Sequence, residues 1–196
     1  MTILDIAISY AGRQATEGFH QGPHIRKWVE DARGEWSATR WSSDFVLGVL
    51  SEASGVTVLE VAQAFGLESV PQGVAGWLDV IPCVPQIPGQ GDLFFILGRD
   101  GRGTPQRWAI QHMGFYAESL KPAPNASFHT VEGCTVPGEI TDAESFNGPD
   151  VEFRRRFFEP DLFCFLPLPQ TIKDLATKKA SGAETSEAKV EESAAG

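Results

Sequence analysis

The stretch Thr39–Val56, TRWSSDFVLGVLSEASGV, shows the clearest helical repeat in the chain. Its apolar residues recur at spacings of three and four, as on one face of an α-helix: Phe45, Val46, Val49, Leu50 and Ala53. Ser42 or Ser43 is expected to cap this helix. The first turn also carries unpaired N–H groups and the positive end of the helix dipole, which would stabilise developing negative charge. A capping serine and a serine nucleophile are therefore both open interpretations.

Composition limits the class of protein. The chain has 196 residues, of which 42% are hydrophobic and 21% charged, as expected for one globular domain. A net charge of −10 argues against a nucleic-acid partner. The N-terminal sequence has no signal-peptide pattern and no stretch is long enough for a membrane span, so we expect synthesis in the cytosol without membrane insertion.

Secondary-structure patterns change along the chain. Helical signals come first, at Ile3–Tyr10, Pro23–Arg33, the stretch from Ser42 and Thr57–Phe65, with one helical turn expected at Val74–Leu78. Strand signals follow at Asp92–Leu97, Trp108–Glu118, Ser127–Glu132, Val151–Phe158 and Phe163–Leu166. This order predicts an α+β fold with N-terminal helices packed on an antiparallel sheet. The domain is expected to span residues 1–169, and the polar residues 170–196 to form a flexible charged tail.

Two polar side chains on neighbouring predicted strands could act together. His112 lies in WAIQHMGFY and Glu132 in SFHTVEGC. If these strands are antiparallel neighbours, the carboxylate can orient the imidazole by accepting one of its N–H groups. Ser42, His112 and Glu132 would then be nucleophile, base and orienting acid in chain order. A purely structural histidine in the strand is the alternative.

The other polar candidates are weaker. His20 and His24 are expected at a helix entrance and His129 at the solvent surface, and no spacing indicates a metal site or a cofactor. The run Arg154–Arg156 could bind an anion, but we expect two solvated arginines and one paired inward. The tryptophans are expected in the core, and Cys83 and Cys164 are expected there as reduced thiols.

Four blocks of sequence together resemble the CHAP family. They are EGFHQGPHIRKW at Glu17–Trp28, RWSSDFV at Arg40–Val46, GDLFFI at Gly91–Ile96, and QHMGFY followed by HTVEGCT through Thr135. CHAP domains are cysteine- and histidine-dependent amidohydrolases and peptidases with a papain-like fold, which cut peptidoglycan in phage endolysins, tail-associated lysins and bacterial wall enzymes. The resemblance implies that fold, and an amidase or endopeptidase acting on peptidoglycan or on a small peptide or amide.

The resemblance also implies a site. It places the nucleophile at Ser42, the base at His112 and the orienting acid at Glu132, with substrate contacts at Trp41, Asp44 and Cys134. The family carries cysteine where this chain has Ser42 and often asparagine where it has Cys134. A helix start and a histidine can lower a thiol pKa enough to form a thiolate, whereas a serine hydroxyl needs a base during attack.

Whether the chain is an enzyme is open at this point. Ser42 could be an engineered replacement of cysteine, a working serine nucleophile, or the mark of a pseudoenzyme that serves as a phage structural protein or as a protein that binds the cell wall or a partner. Cys134 is not expected to replace the nucleophile, because it follows the acid and has no reason to meet the helix start. The expected synthesis without a signal peptide is compatible with a lysin that is released from the cytosol and then acts at the cell wall, or with a component of the phage particle. The sequence leaves the oligomeric state open.

Overall fold

The computed structural model describes residues 1–12, 23–36, 40–81, 87–118, 123–124, 126–135 and 150–194. The helices are α1 (Ile3–Ser9), α2 (Pro23–Arg33), α3 (Ser42–Ser54), α4 (Val58–Ala64) and α5 (Gln170–Ala194), with a 3-10 helix at Val74–Val80. The strands are β1 (Leu93–Arg99), β2 (Pro105–Tyr116), β3 (Ser127–Thr135), β4 (Asp150–Phe157) and β5 (Phe163–Leu166). The predicted α+β class, with helices first and an antiparallel sheet after them, is confirmed.

Local sequence explains where the short helices begin. In α1, Thr2 and Asp5 form a capping box, in which the threonine side chain accepts from the backbone of Asp5 and the carboxylate accepts from the backbone of Thr2. In α4, Thr57 and Glu60 make the same arrangement. A capping box satisfies two of the N–H groups that a helix start leaves without intrahelical partners. The helix predicted at Ile3–Tyr10 is therefore present, with Tyr10 as its C-cap.

Helix α3 is the centre of the fold. All nine residues from Ser42 to Leu50 are buried, and the helix contacts every other α-helix as well as β2 and β3. The sequence predicted a single buried face for α3. The structure buries nearly all sides of the helix, because neighbouring elements surround it. Among the described residues, no single helix is long and apolar enough to span a membrane; α3 and α4 meet that criterion only when joined across a bend of 96°.

The five strands form one antiparallel sheet in the order β4-β3-β2-β1-β5. Adjacent strands lie about 4.8 Å apart, so a flat sheet would separate β3 from β5 by about 14 Å. The rings of Phe128 on β3 and Phe163 on β5 nevertheless lie 5.2 Å apart between centroids. The sheet is therefore strongly curled, with these rings on its concave face.

The two faces of the sheet carry separate apolar cores. The helix face holds Met113, Phe115 and Val131, which pack with α3. The concave face holds an aromatic cluster with members from β1, β2, β3 and β5: Phe94, Tyr116, Phe128, Phe163 and Phe165. From His112 to Tyr116, residues of β2 point alternately to one core and to the other. Both faces of this part of the strand are thus buried, whereas Trp108, nearer its start, is exposed.

Residues 170–194 of the segment expected to be a flexible tail form helix α5. Its first turns pack on the body through the buried side chains of Ile172 and Ala176, and Lys179 Nζ donates to the Glu52 carbonyl at 2.5 Å. Few large apolar residues are needed for this contact, because Ile172 and Ala176 lie four positions apart on one helix face. The flexible tail was predicted from the overall composition of the segment, which does not reveal the local spacing of these two apolar residues.

Candidate functional site

The start of α3 differs from its predicted form. Trp41 occupies the N-cap position and makes no side-chain capping hydrogen bond. The Ser43 hydroxyl is used elsewhere, since it accepts a hydrogen bond of 2.9 Å from Trp77 Nε1. The predicted serine cap is therefore wrong. Ser42, the first residue of the helix, is only 2% exposed.

Two of the three predicted substrate contacts, Trp41 and Asp44, are packed inside the fold. Trp41 is buried and stacks on Trp28, with 6.1 Å between ring centroids. Asp44 is buried and accepts from Arg33 Nη2 at 2.5 Å and Nε at 3.1 Å. Burial raises the pKa of Asp44, although the hydrogen bond and charge of Arg33 oppose this shift. Both side chains have structural partners here and present no surface to a substrate.

The third predicted contact, Cys134, lies at the start of α3, contrary to expectation. Cys134 has a positive φ of 64°, and the β3–β4 register shifts between Gly133 and Thr135. This bulge turns Cys134 away from the alternation of β3, and its sulfur comes within hydrogen-bond reach of the Trp41 backbone N–H. Burial raises the pKa of the Cys134 thiol to about 11, with only partial compensation from Trp41. At neutral pH the group is a buried thiol rather than a thiolate nucleophile.

His112 and Glu132 meet as predicted. The atoms His112 Nε2 and Glu132 Oε2 lie 2.9 Å apart, and both side chains are buried. Gly114 makes room between the strands, since a Cβ there would lie 2.9 Å from a Phe94 ring carbon and 3.3 Å from Glu132 Cγ. The carboxylate thus contacts the imidazole on the concave face, beside the Phe94 ring.

Glu132 has two further partners that the sequence analysis missed. Arg156 donates to it twice, from Nε at 2.6 Å and Nη2 at 2.5 Å, and Thr130 Oγ1 donates at 2.5 Å. Arg154 and Arg156 are both buried, whereas Arg155 is exposed. The prediction of two solvated arginines and one inward is therefore wrong. The alternation of Arg154 and Arg156 along β4 indicates that the two side chains share one face of the strand. It does not tell which face of an edge strand is enclosed.

The electrostatics of this cluster follow from burial and charge. Burial by itself would raise the pKa of Glu132, but the guanidinium of Arg156 and the hydrogen bonds from Arg156 and His112 hold that pKa well below its usual range. Burial lowers the pKa of His112, against the opposing effect of Glu132. At neutral pH the imidazole is therefore neutral, and because an ionised carboxylate can only accept, His112 Nε2 is the donor. Glu132 fixes the tautomer, as an orienting acid would.

Ser42 is not part of this cluster. It begins the helix on the helix face, where Phe45 packs against Phe115 with 5.8 Å between ring centroids. His112 shares the other face of β2 with Gly114 and Tyr116, and its ring lies 6.3 Å from that of Phe94 in the concave-face core. The sheet thus separates the predicted nucleophile from the predicted base and acid.

The remaining candidates also have defined surroundings. His24 lies edge-on to Tyr10, 5.1 Å between ring centroids. His129 is partly exposed, as expected, but it also contacts Glu118 Oε1 through Nδ1 at 2.6 Å. His20 and Cys83 lie outside the described residues, and Cys164 is half-buried rather than in the core.

Among the described residues, the clefts lie away from the candidate site and no cluster of metal-binding side chains is found. One cleft of about 380 Å³ lies between α1 and α5, where Ile3, Leu168 and Lys173 are among its lining residues. A second, of about 480 Å³, is lined by residues around Gly55 and Thr57. Within the described ranges, no three His, Cys, Asp or Glu side chains are placed to hold a metal ion.

The chain matches no protein-family model, and it has no significant similarity to a curated protein or to a solved structure. The likeness to CHAP domains therefore rests on the four sequence blocks.

Proposed function

We propose that this chain is a non-catalytic binding protein on a CHAP-like, papain-like scaffold, serving as a phage structural component or as a protein that binds the cell wall or a partner. One observation carries the proposal: Ser42 lies on the helix face of the sheet, whereas His112 and Glu132 lie on its concave face. Acyl transfer needs the nucleophile within hydrogen-bond reach of its base. This arrangement does not provide that contact.

The burial of the site supports the same proposal. Ser42, His112 and Glu132 are each at most 2% exposed. Trp41, Asp44 and Cys134, which would line a substrate groove in an enzyme, are buried and have partners within the fold. A polysaccharide strand or stem peptide could not reach any of these atoms without opening the core.

A second candidate function has one observation in its favour. The pair of His112 with Glu132 is the acid-oriented neutral imidazole that a wall amidase or endopeptidase would use as its general base. In that function the base would take the proton of the nucleophile, the nucleophile would bond to the carbonyl carbon, and the amine would leave with the proton. The candidate requires the start of α3 to reach the concave face.

A peptidoglycan-release assay separates the two functions. The forms to compare are the native chain, Ser42→Cys, and Ser42→Cys combined with His112→Ala, with an active wall hydrolase as positive control. The proposal predicts that none of the three releases soluble fragments. Release by Ser42→Cys that His112→Ala abolishes would instead establish the hydrolase, with a nucleophile missing from the native chain.

Binding is measured on the same insoluble wall material. Co-sedimentation of the native chain without fragment release would assign the wall as the ligand. Failure to sediment would leave the phage or partner-binding role of the proposal, whereas fragment release by the native chain would contradict the proposal.

A further inference from the structure

The two edges of the sheet are very different. Strand β5 spans only Phe163–Leu166 and lies between Pro160 and Pro167 in the sequence. Short strands and prolines are common means of protecting an edge from pairing with another strand. Strand β4 spans Asp150–Phe157 without a proline or a lysine, and among the described residues its only strand neighbour is β3. On the outer side of β4 the Val151 carbonyl accepts from the Gly12 N–H at 2.9 Å. Among the described residues, the edge suited to receive a further strand is therefore the part of β4 from Glu152 to Phe157.

The exposed side chains of β4 form a defined surface. Phe153, Arg155 and Phe157 alternate along the strand and point to the helix face, beyond the part that the helices cover. Phe153 is 47% exposed and Phe157 43%. We call these three residues, with His129 of the neighbouring strand, the β4 edge surface. Two large exposed rings in a row on an edge strand are typical of an interaction site.

Neighbouring groups hold these side chains in place. The His129 ring stacks on Phe153, with 5.1 Å between centroids and 13° between planes, and Glu118 holds His129 through its backbone N–H and Nδ1. The guanidinium carbon of Arg155 lies 6.0 Å from the centroid of the Phe157 ring. Rings and guanidinium groups ordered in this way lose less side-chain entropy on binding.

The chemistry of the β4 edge surface selects a complementary strand. Arg155 is an exposed cation between two aromatic rings in a chain of net charge −10. A strand laid along β4 would place alternate side chains opposite Phe153, Arg155 and Phe157. Apolar, acidic and apolar residues in that order fit these three positions. Aromatic and arginine side chains are also those most often found at the energetic centre of interfaces.

We propose that β4 is the docking edge for an extended segment of a partner protein, which adds a strand to the sheet and presents alternating apolar and acidic residues to Phe153, Arg155 and Phe157. The inference goes beyond the proposed function, since a hydrolase could carry the same edge, and its test does not depend on the wall assay. A second copy of this chain fits less well. Antiparallel self-pairing of β4 would bring the two Arg154–Arg156 runs together, and like charges across strands are destabilising.

The experiment uses a labelled, end-blocked peptide, Thr-Val-Thr-Asp-Thr-Val-Thr, and fluorescence anisotropy with the full chain. One control peptide carries Lys in place of Asp, and another carries N-methyl groups on alternate backbone nitrogens. The native chain should bind the Asp peptide more tightly than the Lys peptide, because only the carboxylate pairs with Arg155. The N-methylated peptide should not bind, because it cannot complete the strand hydrogen bonds.

Charge reversal on the protein provides the matched variants. Arg155→Glu should weaken binding of the Asp peptide about tenfold and turn the preference toward the Lys peptide. Arg102→Glu makes the same charge change in the exposed turn between β1 and β2, and it should leave binding unchanged.

Three results of the peptide titrations would overturn the proposal. They are no binding of the Asp peptide to the native chain, equal binding of the Asp and Lys peptides, and retained binding of the N-methylated peptide. A concentration-dependent dimer that Arg155→Glu dissociates would likewise overturn it, because the edge would then belong to a second copy.

Discussion

Glu132 is the centre of a buried polar cluster. Its carboxylate accepts from Arg156, His112 and Thr130 in an enclosed core. Removing one partner of a buried ion pair leaves the other charge without compensation, which commonly costs about 3–5 kcal/mol. We therefore expect Glu132→Gln to lower the free energy of unfolding by about that amount in denaturant titrations.

Glu118→Gln is the matched control for this change. Glu118 accepts from His129 in the same sheet, but both side chains are partly exposed. Its loss should cost about 1 kcal/mol or less, because exposed ion pairs contribute little. Equal losses in the two variants would show that the Glu132 cluster is not enclosed as described.

His112 should make stability depend on pH. Its pKa is lowered in the folded state from a usual value of 6.5, chiefly by burial. As the pH falls below 6.5, the unfolded chain binds this proton before the folded chain does, so stability falls. The lowered pKa of Glu132 adds a further loss below its usual 4.5.

Melting temperatures between pH 7 and pH 5 measure the His112 contribution. The native chain should lose more stability over that interval than His112→Gln, which keeps a donor for Glu132 but does not titrate. Parallel curves for the two forms would contradict the burial of a neutral imidazole.

The pairing of His112 with Glu132 could be predicted from sequence, because both lie on strands that follow one another and antiparallel neighbours bring such residues together. The location of Ser42 relative to that pair could not. Both faces of β2 are buried near its end, with Met113 and Phe115 on one and Tyr116 on the other. The alternation of residues along β2 assigns them to two opposite faces, but it does not tell which face the helices cover.

At the scale of elements, α2 approaches α3 closely at Gly48. A Cβ added at Gly48 would lie 2.0 Å from Trp28 Cδ1, so the indole fits only against a glycine. Gly→Ala within a helix normally stabilises by about 0.5–1 kcal/mol. Gly48→Ala should instead destabilise the chain by about 1–3 kcal/mol, because the buried ring must move.

Gly182→Ala is the control for that prediction. Gly182 lies within α5, and a Cβ there would meet nothing within 4 Å. This change should leave the protein equally or slightly more stable in thermal unfolding followed by circular dichroism. Stabilisation by Gly48→Ala would mean that α2 and α3 do not pack as described.

Helices and strands were predictable to different degrees. The strands were located within a few residues because each is an apolar run bounded by turn residues, as in β5, where the predicted and observed bounds agree. Helix α5 was missed because its composition is that of a disordered segment, while its contact with the body depends on Ile172 and Ala176. The bulge that brings Cys134 to α3 was also missed, since it follows from a single left-handed residue.

At the scale of the whole molecule, the curl of the sheet decides what the site can do. Curling encloses the concave face, so His112, Glu132 and Arg156 become core residues rather than the floor of a groove. Helix α3 packs on the opposite face and buries Ser42 there. The residues that resemble a hydrolase site are thus divided between two cores, which is the basis for proposing a binding role.

The most direct test of this division is the reactivity of a thiol placed at position 42. Iodoacetamide alkylation of Ser42→Cys at pH 6, followed at that position by peptide mass spectrometry, requires no knowledge of a substrate. The account predicts that the introduced thiol reacts more slowly in the folded chain than in the unfolded chain, and that adding His112→Ala leaves its rate unchanged. Rapid alkylation at pH 6 that falls when His112 is replaced would reveal a thiolate paired with the histidine, and it would contradict the separation of Ser42 from His112.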